Sequence, residues 1–526
     1  MKVCILAAGT GSRNTYSKVL PKGFLPINNQ PGITYLLDSI DNLEEIVVAV
    51  GSRSELYKEF FPLLYPNLDI TFVDIDNYEG PGSGPGVSLL ECSKFLDEEF
   101  LLIPTDAYID EEIVDSWDEN WMGVSKVSST KLYCLLDCDE NGNITEIYDK
   151  NPDAPLECLE NGFNGIAFIK DTDIFFESLR NDKSLIGGEV QVSNGFQNLL
   201  SSDGSKGLKI KRIDSWHDFG SNEQYRSLLL KFEDQNLIKN DEFTYIYNSK
   251  VFKYNVDQNI TKNKVERAKN FTGFSPKVKE STKHFFSYDY VEGNLISHVD
   301  NLQIYEEFIG FLKSTLFTKS ELDATEFKNF TNDCLNFYRK KTLDRVNQFI
   351  EKNELSVENY KINGIDCEPV SDLLNKIDWD DLSAGIPYLF HGDLQPENII
   401  YNEERFFLID WRDSFGLSTK YGDIYYDLAK LNHALLISGS IVRSNNFSFN
   451  IVDNNIDIHY LIKSNLREFK ILLESFIEDE GYDKYKIDII TSLIYLNIAP
   501  LYDGDYSKFL FSLGNLNLQR LLNKNT

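Results

Sequence analysis

Two glycines and two basic residues near the start of the chain have types and spacing that suit phosphate binding. Gly9 and Gly11 follow a predicted strand and precede a turn. Glycines at such a place let the backbone approach a phosphate closely and direct its N–H groups toward it. Arg13 and Lys22 add the positive charge that a triphosphate requires. The segment therefore predicts a nucleotide site, and a tight turn without a ligand is the alternative.

The longer string around these residues resembles a known family. Leu6-Ala7-Ala8-Gly-Thr-Gly-Ser-Arg, followed by Pro21-Lys22, is similar to the nucleotidylyltransferases that make nucleoside-diphosphate sugars and CDP-alcohols. The resemblance covers residues 1–230 and implies in-line attack of a substrate phosphate on the α-phosphorus of an NTP, with release of pyrophosphate. Arg13 and Lys22 are the implied catalytic cations. The implied nucleotide contacts are Leu6, Ala7, Ala8, Gly9, Gly11, Gly82 and Gly84.

The same resemblance implies the metal and substrate sites. Asp106, at the end of a predicted strand, and Asp218, in a Trp-His-Asp-Phe-Gly-Ser string, correspond to the family's Mg²⁺ ligands. Two carboxylates on separate segments are what a hard ion that bridges phosphates requires, although Asp106 alone would also suit a helix cap. Lys150, Gly165 and Glu189 are the implied substrate contacts, with solvated charge as the alternative.

A second set of polar residues lies nearly 400 positions further along the chain. His391-Gly-Asp393, then Asn398 and Asp410, resemble the aminoglycoside and choline kinase family, a branch of the protein-kinase-like fold. The resemblance covers residues 240–526. It implies that Asp393 is the catalytic base or orienting carboxylate, while Asn398 and Asp410 hold Mg²⁺ on ATP. A polar β-turn is the alternative.

This kinase resemblance is weaker in the small lobe. Lys253 is the implied phosphate-binding lysine and Glu266 its partner, but no glycine-rich loop precedes Lys253. Trp411 and Asp413, with Asp427, are expected to face the acceptor. An acidic, aromatic acceptor site would suit an amine such as choline, through cation–π contacts, and also sugar hydroxyls.

Hydrophobic periodicity predicts the elements that position these residues. Up to about residue 230, short apolar runs alternate with amphipathic stretches, which predicts an α/β, doubly wound, Rossmann-like domain over residues 1–235 with a parallel sheet. The domain's predicted strands and helices are Val3–Leu6, Ile33–Ile40, Glu45–Val50, Ile70–Val73, Val87–Phe95, Phe100–Ile103 and Asn222–Leu237.

The pattern changes beyond residue 240, first to antiparallel strands and then to helices. With the kinase resemblance, this predicts an α+β, bilobal, protein-kinase-like domain over residues 240–526. Its small lobe is expected at about 240–295 and its helical large lobe at about 296–526. Apolar runs beside Asn398 and Asp410 predict a hairpin at the second site.

Composition limits the partners and the compartment. The formal net charge is −31, which repels nucleic acids and anionic membranes. The apolar run Val3–Ala8 predicts a buried strand rather than a signal peptide, and no run approaches the ~20 apolar residues of a membrane span. The seven scattered cysteines predict reduced thiols rather than a zinc site. We therefore expect a cytoplasmic protein with small-molecule substrates, and a homo-oligomer is left open.

Together the two resemblances predict a bifunctional, Mg²⁺-dependent enzyme. ATP would phosphorylate a small metabolite, taken to be a sugar, and a second NTP, CTP or UTP, would convert the phosphate to an NDP-linked donor for cell-surface glycans. One alternative is a kinase and cytidylyltransferase for choline, ethanolamine or another small alcohol. The other is one active domain beside a catalytically dead regulatory domain.

Overall fold

The computed structural model describes residues 1–113, 118–201, 207–232, 241–353, 360–402, 405–439, 441 and 444–524. It divides into two compact units, the first comprising Met1–Gln258 and Glu280–Ser287, the second Asn259–Lys279 and Tyr288–Thr526. The predicted domain boundary, residues 235–240, lies outside the described residues. Residues 241–258, expected to begin the second domain, belong by their contacts to the first unit.

The first unit is built on a mixed sheet, in which nine strands are described. In chain order they are β1 (Lys2–Ala7), β2 (Glu45–Val50), β3 (Asp69–Asp74), β4 (Phe100–Pro104), β5 (Asn120–Ser125), β6 (Cys134–Cys138), β7 (Ile144–Asp149), β8 (Gly162–Ile169) and β9 (Leu208–Arg212). The main order is β7-β6-β8-β4-β1-β2-β3, with β5 pairing to β8 and β9.

The sheet corrects the expectation of a purely parallel arrangement. β3, β2, β1 and β4 are parallel and stand in the order expected of a doubly wound half-domain. β8 is antiparallel to β4 and β5, and β6 is antiparallel to β7. Antiparallel neighbours need no helical crossover, so the chain adds these strands without the alternation of helix and strand on which the parallel expectation rested.

Six α-helices are described in the first unit, of which the first, the third and the last lie at or near predicted positions. They are α1 (Gly32–Asp38), α2 (Ser54–Leu64), α3 (Pro85–Cys92), α4 (Thr172–Asn181), α5 (Ser193–Ser201) and α6 (Asn222–Lys231). The cap of α6 is Ser221, whose Oγ accepts from the Gln224 N–H. The end of the predicted helix, residues 233–237, lies outside the described residues.

A short hairpin completes the first unit. β10 (Glu242–Tyr247) and β11 (Lys250–Asn255) pair antiparallel, and the connecting Asn248 and Ser249 both have positive φ, as a tight two-residue hairpin turn requires. β12 (Val278–Ser281) and β13 (Phe285–Asp289) each include residues of both units. Within the first unit, Phe60 stacks on Phe285 with ring centroids 4.3 Å apart, so the hairpin region shares the core of the sheet.

The second unit is mostly helical. Its helices are α7 (Gln258–Ala268, beginning one residue before the unit), α8 (Leu302–Ser314), α9 (Ala324–Leu335), α10 (Lys341–Asn353), α11 (Val370–Asn375), α12 (Trp379–Ser383), α13 (Ile424–Leu436), α14 (Ser464–Asp479), α15 (Lys484–Ile498) and α16 (Gly504–Lys524).

Short strands accompany these helices. They are β14 (Tyr360–Ile362), β15 (Ile365–Cys367), β16 (Ile399–Tyr401), β17 (Phe406–Leu408), β18 (Phe447–Val452) and β19 (Asn455–Tyr460). β16 and β17 pair antiparallel, which confirms the hairpin predicted beside Asn398 and Asp410. All seven cysteines are free thiols. Over the described part of the chain, no helix is both long and apolar enough to cross a membrane.

Candidate active site

A cleft of about 400 Å³ lies at the carboxyl ends of β1 and β4 in the first unit. This edge is where open α/β sheets bind ligands, because the loops there diverge from the sheet. Residues from several distant parts of the sequence meet in it. The predicted site residues that line the cleft are Leu6, Ala7, Gly9, Gly11, Arg13, Lys22, Asp106, Lys150, Gly165 and Asp218.

Gly9 and Gly11, the two glycines of the first loop, have different structural roles. Gly11 has φ +70°, and a β-carbon there would lie 2.7 Å from Ser17 Cβ. Any side chain at Gly11 would therefore strain the backbone and clash. A β-carbon at Gly9 would meet nothing within 4 Å, so Gly9 borders open space in the cleft. Gly11 shapes the loop, while Gly9 leaves room for a ligand.

Lys22 reaches across the cleft to Asp106. Its Nζ lies 2.7 Å from Asp106 Oδ2, and both side chains are largely buried. Burial alone would raise the pKa of Asp106, but the charges of Lys22 and Arg13 outweigh it and hold that pKa below its ordinary value. Asp106 is therefore ionised beside two cations that can also contact phosphate.

Gly220 is the point where three of these groups converge. A β-carbon at Gly220 would lie 2.6 Å from Asp106 Oδ2, 3.0 Å from Asp218 Oδ1 and 3.3 Å from Lys22 Nζ. The Gly220 N–H also donates to Asp218 Oδ1 at 2.7 Å. Only a residue without a side chain lets both carboxylates and the ammonium come this close.

Asp218 is held by neutral donors rather than by a cation. Tyr133 Oη donates to its Oδ2 at 3.2 Å, and Gln224 Nε2 donates to the same oxygen at 2.9 Å. Burial, followed by the nearby charge of Asp106, raises the pKa of Asp218 above its ordinary value. The Asp218 charge in turn, after burial, helps to raise the pKa of Tyr133 to about 12.

The two carboxylates fit a magnesium ion that is shared with phosphates. Asp106 and Asp218 are hard oxygen donors, and their mutual charge raises the pKa of Asp218, a cost that a divalent cation would offset. Among the described residues there is no group of three or more His, Cys, Asp or Glu side chains that could hold a metal. Two carboxylates with the rest of the shell left to phosphate and water is the usual pattern for Mg²⁺.

The remaining predicted residues of the first unit fall into two groups. Lys150, with φ +50°, and Gly165, with φ +90°, stand in the cleft as expected. Gly82, Gly84, Glu189 and Ala8 are not part of the described cleft lining. A β-carbon at Gly84 would lie 2.5 Å from Val190 O, and the Gly82 N–H donates to Gly188 O. Gly84 therefore permits a close backbone approach, and the contact of both glycines with nucleotide stays a prediction.

Two residues predicted for the second site, Asp393 and Asn398, are in contact in the second unit. Lys430 Nζ lies 2.6 Å from Asp393 Oδ1, and Asn398 Nδ2 donates to Asp393 Oδ2 at 3.1 Å. Burial would raise the pKa of Asp393, but the Lys430 ammonium holds it well below its usual range. Asp393 is therefore ionised and suited to accept a hydrogen bond from a hydroxyl.

Two buried residues of opposite charge hold the loop that carries Asp393. Asp427 accepts the N–H groups of His391 and Gly392 at 2.6 and 2.7 Å. Burial raises the pKa of Asp427 to about 7, although these bonds oppose the shift. Arg267 donates to the carbonyl oxygens of Phe390 and Arg412. Asp427 is thus a positioning residue, which corrects the expectation that it faces the acceptor.

Trp411 also needs a correction. It is 1% exposed, its indole N–H donates to Lys264 O at 2.9 Å, and its ring packs against Phe271. Trp411 was predicted to contact the acceptor, but its side chain belongs to the hydrophobic core. Asp413, by contrast, is partly exposed and accepts from Ser414 Oγ.

The other predicted residues of this site have the following positions. Asp410 adopts φ +58°, which is uncommon for a residue with a side chain. Lys253, in the first unit, is buried and donates to Thr244 Oγ1. Glu266, in the second unit, is exposed and pairs with Lys269. The predicted pairing of Lys253 with Glu266 and the metal roles of Asn398 and Asp410 stay predictions.

Sequence reasoning missed Gly220, Tyr133, Gln224, Lys430 and Arg267. Gly220 stands in the same string as Asp218, so its position was available as a signal. Tyr133, Lys430 and Arg267 lie far along the chain from the groups they contact and carry no local pattern, and only the fold brings them to the sites.

Comparisons with protein families and with known proteins find the following similarities. A family model described as the MobA-like NTP transferase domain matches residues 3–127. The chain is 24% identical over 223 residues to the "Bifunctional protein GlmU" of Methanocaldococcus jannaschii, covering 42% of this chain and 51% of that protein. It is 26% identical over 262 residues to the "Low-salt glycan biosynthesis nucleotidyltransferase Agl11" of Haloferax volcanii, covering 45% of this chain and 68% of that protein.

The chain thus spans about half the length of GlmU and two thirds of Agl11. Among solved structures, a UDP-glucose pyrophosphorylase complexed with UDP-glucose is similar at 18% identity and a TM-score of 0.37, covering 45% of this chain and 99% of that one. The family model alone places an NTP transferase domain at residues 3–127.

Proposed function

We propose that the chain is a bifunctional enzyme that phosphorylates a small metabolite with ATP and then joins the product to a nucleotide. The observation that carries the second step is the convergence of Asp106, Asp218 and Lys22 on Gly220, in a cleft beside the glycine loop. The match of residues 3–127 to an NTP transferase domain supports the same assignment.

In the nucleotidyl transfer, an oxygen of the substrate phosphate attacks the α-phosphorus of the NTP. The bond from that phosphorus to the α–β bridging oxygen breaks, and pyrophosphate leaves with the electron pair. Gly9 and Gly11 admit the phosphates to the loop, while Lys22 and Arg13 offset negative charge. Mg²⁺ held by Asp106 and Asp218 would supply further charge neutralisation. Lys150 and Gly165 line the same cleft, which supports assigning them to the substrate phosphate.

The phosphorylation step is assigned to the second unit. The hydroxyl oxygen of the acceptor attacks the γ-phosphorus of ATP, the bond to the β–γ bridging oxygen breaks, and ADP leaves. The ionised Asp393, held by Lys430 and Asn398, accepts the hydroxyl proton. Asn398 and Asp410 would hold the Mg²⁺ of ATP.

A sugar is the acceptor class we favour. One of the relatives, Agl11, is named as a glycan-biosynthesis nucleotidyltransferase. Choline is less well supported, since Trp411 is buried and the carboxylate of Asp393 is already paired with a lysine. We propose a soluble, cytoplasmic enzyme whose NDP-linked product supplies glycan assembly.

A pyrophosphate-release assay tests the nucleotidyl transfer. The full chain would be incubated with Mg²⁺, each of ATP, CTP, GTP, UTP and dTTP, and a panel of sugar 1-phosphates, phosphocholine and phosphoethanolamine. We expect release with one NTP and one phosphate class, reduced at least about a hundredfold in Asp106→Ala. Asp153→Ala, at an exposed position, is the matched control. If no combination releases pyrophosphate, the proposal is wrong.

A further inference from the structure

The second unit holds a cavity of about 490 Å³ whose lining is rich in cations. Lys340, Lys341, Arg345 and Arg412 line it, and Asp344 is the acidic residue among its described lining. The whole chain carries a formal charge of −31. The fold therefore brings several positively charged side chains together in a protein whose overall charge is strongly negative.

Three of these cations form no ion pair with any of the described residues. Asp344 pairs with Lys340 at 3.7 Å, at the exposed rim. Within the part of the chain that the structure describes, no carboxylate forms an ion pair with Lys341, Arg345 or Arg412. Arg345 instead donates to Gln348 Oε1, and Arg412 donates to Ser414 O. The cavity therefore has positive charge in excess.

An aromatic ring holds two of the cations in place. Lys341 Nζ lies 4.2 Å from the centroid of the Phe337 ring, and Arg412 Cζ lies 5.0 Å from the same centroid. Contacts with a ring face orient a cation without cancelling its charge. The Arg412 guanidinium thus keeps its charge for an anion, and an anion bound there would favour the ammonium form of Lys341.

The electrostatics of Lys341 agree with this geometry. Burial lowers the pKa of Lys341 well below its ordinary value, and the charges of Arg412, Lys430 and Arg345 lower it further, while Asp393 opposes them. A bound anion would oppose the effect of these like charges and so favour the charged form of Lys341.

The backbone at the cavity departs from regular helix. Residues Asn336–Lys340 form a π-helical turn between α9 and α10, and the Lys341 N–H donates to Asn336 O, five residues earlier. Such turns are rare and often occur at functional sites, because the extra residue in the turn redirects the side chains that follow. Here the turn contributes Phe337 and Lys340 to the cavity and directly precedes Lys341.

The cavity adjoins the loop that carries Asp393. The Arg412 N–H donates to His391 O at 2.9 Å, and a β-carbon at Gly392 would lie 2.6 Å from Arg412 Cβ. Lys341 contacts the same Phe337 ring as Arg412, so both cations lie near this loop. A molecule with its hydroxyl at Asp393 would thus have these cations beside it.

We propose that the acceptor, whose hydroxyl group binds at Asp393, also carries an anionic group, either a carboxylate or a phosphate. Lys341, Arg345 and Arg412 bind this anionic group. The inference rests on the proposed kinase function and names its substrate class: a hydroxylated acid or a sugar phosphate rather than a neutral sugar or an amine. The transfer step is unchanged, since the anion binds and orients the acceptor and takes no part in bond making.

Matched pairs of acceptors test the proposal. ADP formation would be followed with glucose against glucuronate, glucose against glucose 6-phosphate, and choline. We expect kcat/KM to be at least about tenfold higher for glucuronate or glucose 6-phosphate than for glucose, because charge-assisted bonds add affinity. Preference for one of the two anionic sugars distinguishes a carboxylate from a phosphate site. Equal values for the neutral and anionic members, or a preference for choline, would overturn the inference.

Variants separate the cavity from the fold and from the kinase proposal. Lys341→Gln and Arg345→Gln should raise KM for the anionic acceptor about tenfold without changing KM for ATP. Lys328→Gln, at an exposed site on α9, is the control. Calorimetric titration with glucuronate, glucose 6-phosphate and glucose gives a readout that needs no catalysis. If no acceptor consumes ATP, the kinase proposal fails. Binding of an anionic sugar that is lost in Arg345→Gln supports the cavity, and its absence from the wild type contradicts it.

Discussion

Lys22 Nζ lies 2.7 Å from Asp106 Oδ2, a contact that joins residues 84 positions apart. The pair connects the basic end of the glycine loop to the acidic end of β4. Both side chains also approach Gly220, which stands beside Asp218. The site is therefore a small electrostatic network in which each charge depends on the others for its position.

Replacing Gly220 by alanine should disable nucleotidyl transfer. The new methyl group would lie 2.6 Å from Asp106 Oδ2, so a carboxylate or Lys22 must move. We expect kcat/KM for pyrophosphate release to fall at least about a hundredfold, since displaced charges no longer stabilise the transition state. Gly310→Ala, where an added β-carbon meets nothing within 4 Å, is the control and should retain activity.

Gly9→Ala and Gly11→Ala should fail in different ways. Alanine at Gly9 meets open cleft, so we expect unchanged thermal stability and a raised KM for the NTP. Alanine at Gly11 must adopt φ +70° and clash with Ser17, at a cost of about 1–3 kcal/mol of stability. Thermal melting beside NTP titration checks both variants. Equal loss of stability in the two variants would contradict the assigned roles.

Tyr133→Phe should shift the pH dependence of the first activity. The Tyr133 hydroxyl donates to Asp218 and so lowers a pKa that burial and Asp106 raise. Without this bond the pKa of Asp218 rises further, and the carboxylate is protonated at a higher pH. The acid limb of the kcat/KM profile should therefore move to higher pH. Tyr148→Phe is the control, because Tyr148 bonds to Glu146 at the surface; an unmoved limb in Tyr133→Phe would refute the assignment.

Tyr245→Phe should show whether the hairpin β10–β11 supports the first site. The buried Tyr245 Oη donates to Phe24 O at 2.6 Å, and Phe24 ends the turn that begins at Lys22. Loss of this bond leaves a buried carbonyl short of a donor, which costs about 1–3 kcal/mol. We expect lower thermal stability and slower nucleotidyl transfer. Tyr290→Phe, half-exposed, should change neither.

Lys430→Gln should affect the second activity alone. Lys430 holds the pKa of Asp393 low, so its loss lets that pKa rise and adds an acid limb to the pH profile of ADP formation. Asp393 remains charged only above its folded pKa, so activity should fall most at acidic pH. Pyrophosphate release should be unchanged, and a parallel loss of both activities would argue against separate sites.

Short sequence motifs predicted many residues of the first site. Gly9, Gly11, Lys22, Asp106 and Asp218 were identified because phosphate loops and strand ends have compact signatures, and all five residues line one cleft. The strands β1 to β4 followed from continuous apolar runs, and their observed bounds differ from the predicted ones by at most one residue at either end.

Features set by distant contacts could not be predicted. The antiparallel strands beyond β4 depend on pairing rather than on local periodicity. Trp411 directly follows Asp410, a predicted metal ligand, and was therefore assigned to the site. Nothing in that motif indicates that its side chain is buried. The hairpin β10–β11 was assigned to the second domain because the sequence pattern changes near residue 240. In the structure, side chains of the hairpin pack with Phe60 in the hydrophobic core of the first unit.

The most direct test of the central claim is a single reaction containing the full chain, Mg²⁺, ATP, the second NTP and an unphosphorylated acceptor, followed by ³¹P nuclear magnetic resonance. We predict signals of a phosphorylated intermediate and then of an NDP-linked product. Asp106→Ala should accumulate the intermediate, and Asp393→Ala should form product only when the phosphorylated acceptor is supplied. Product formation by Asp393→Ala from the unphosphorylated acceptor, or no pyrophosphate from any supplied phosphate, would contradict the account.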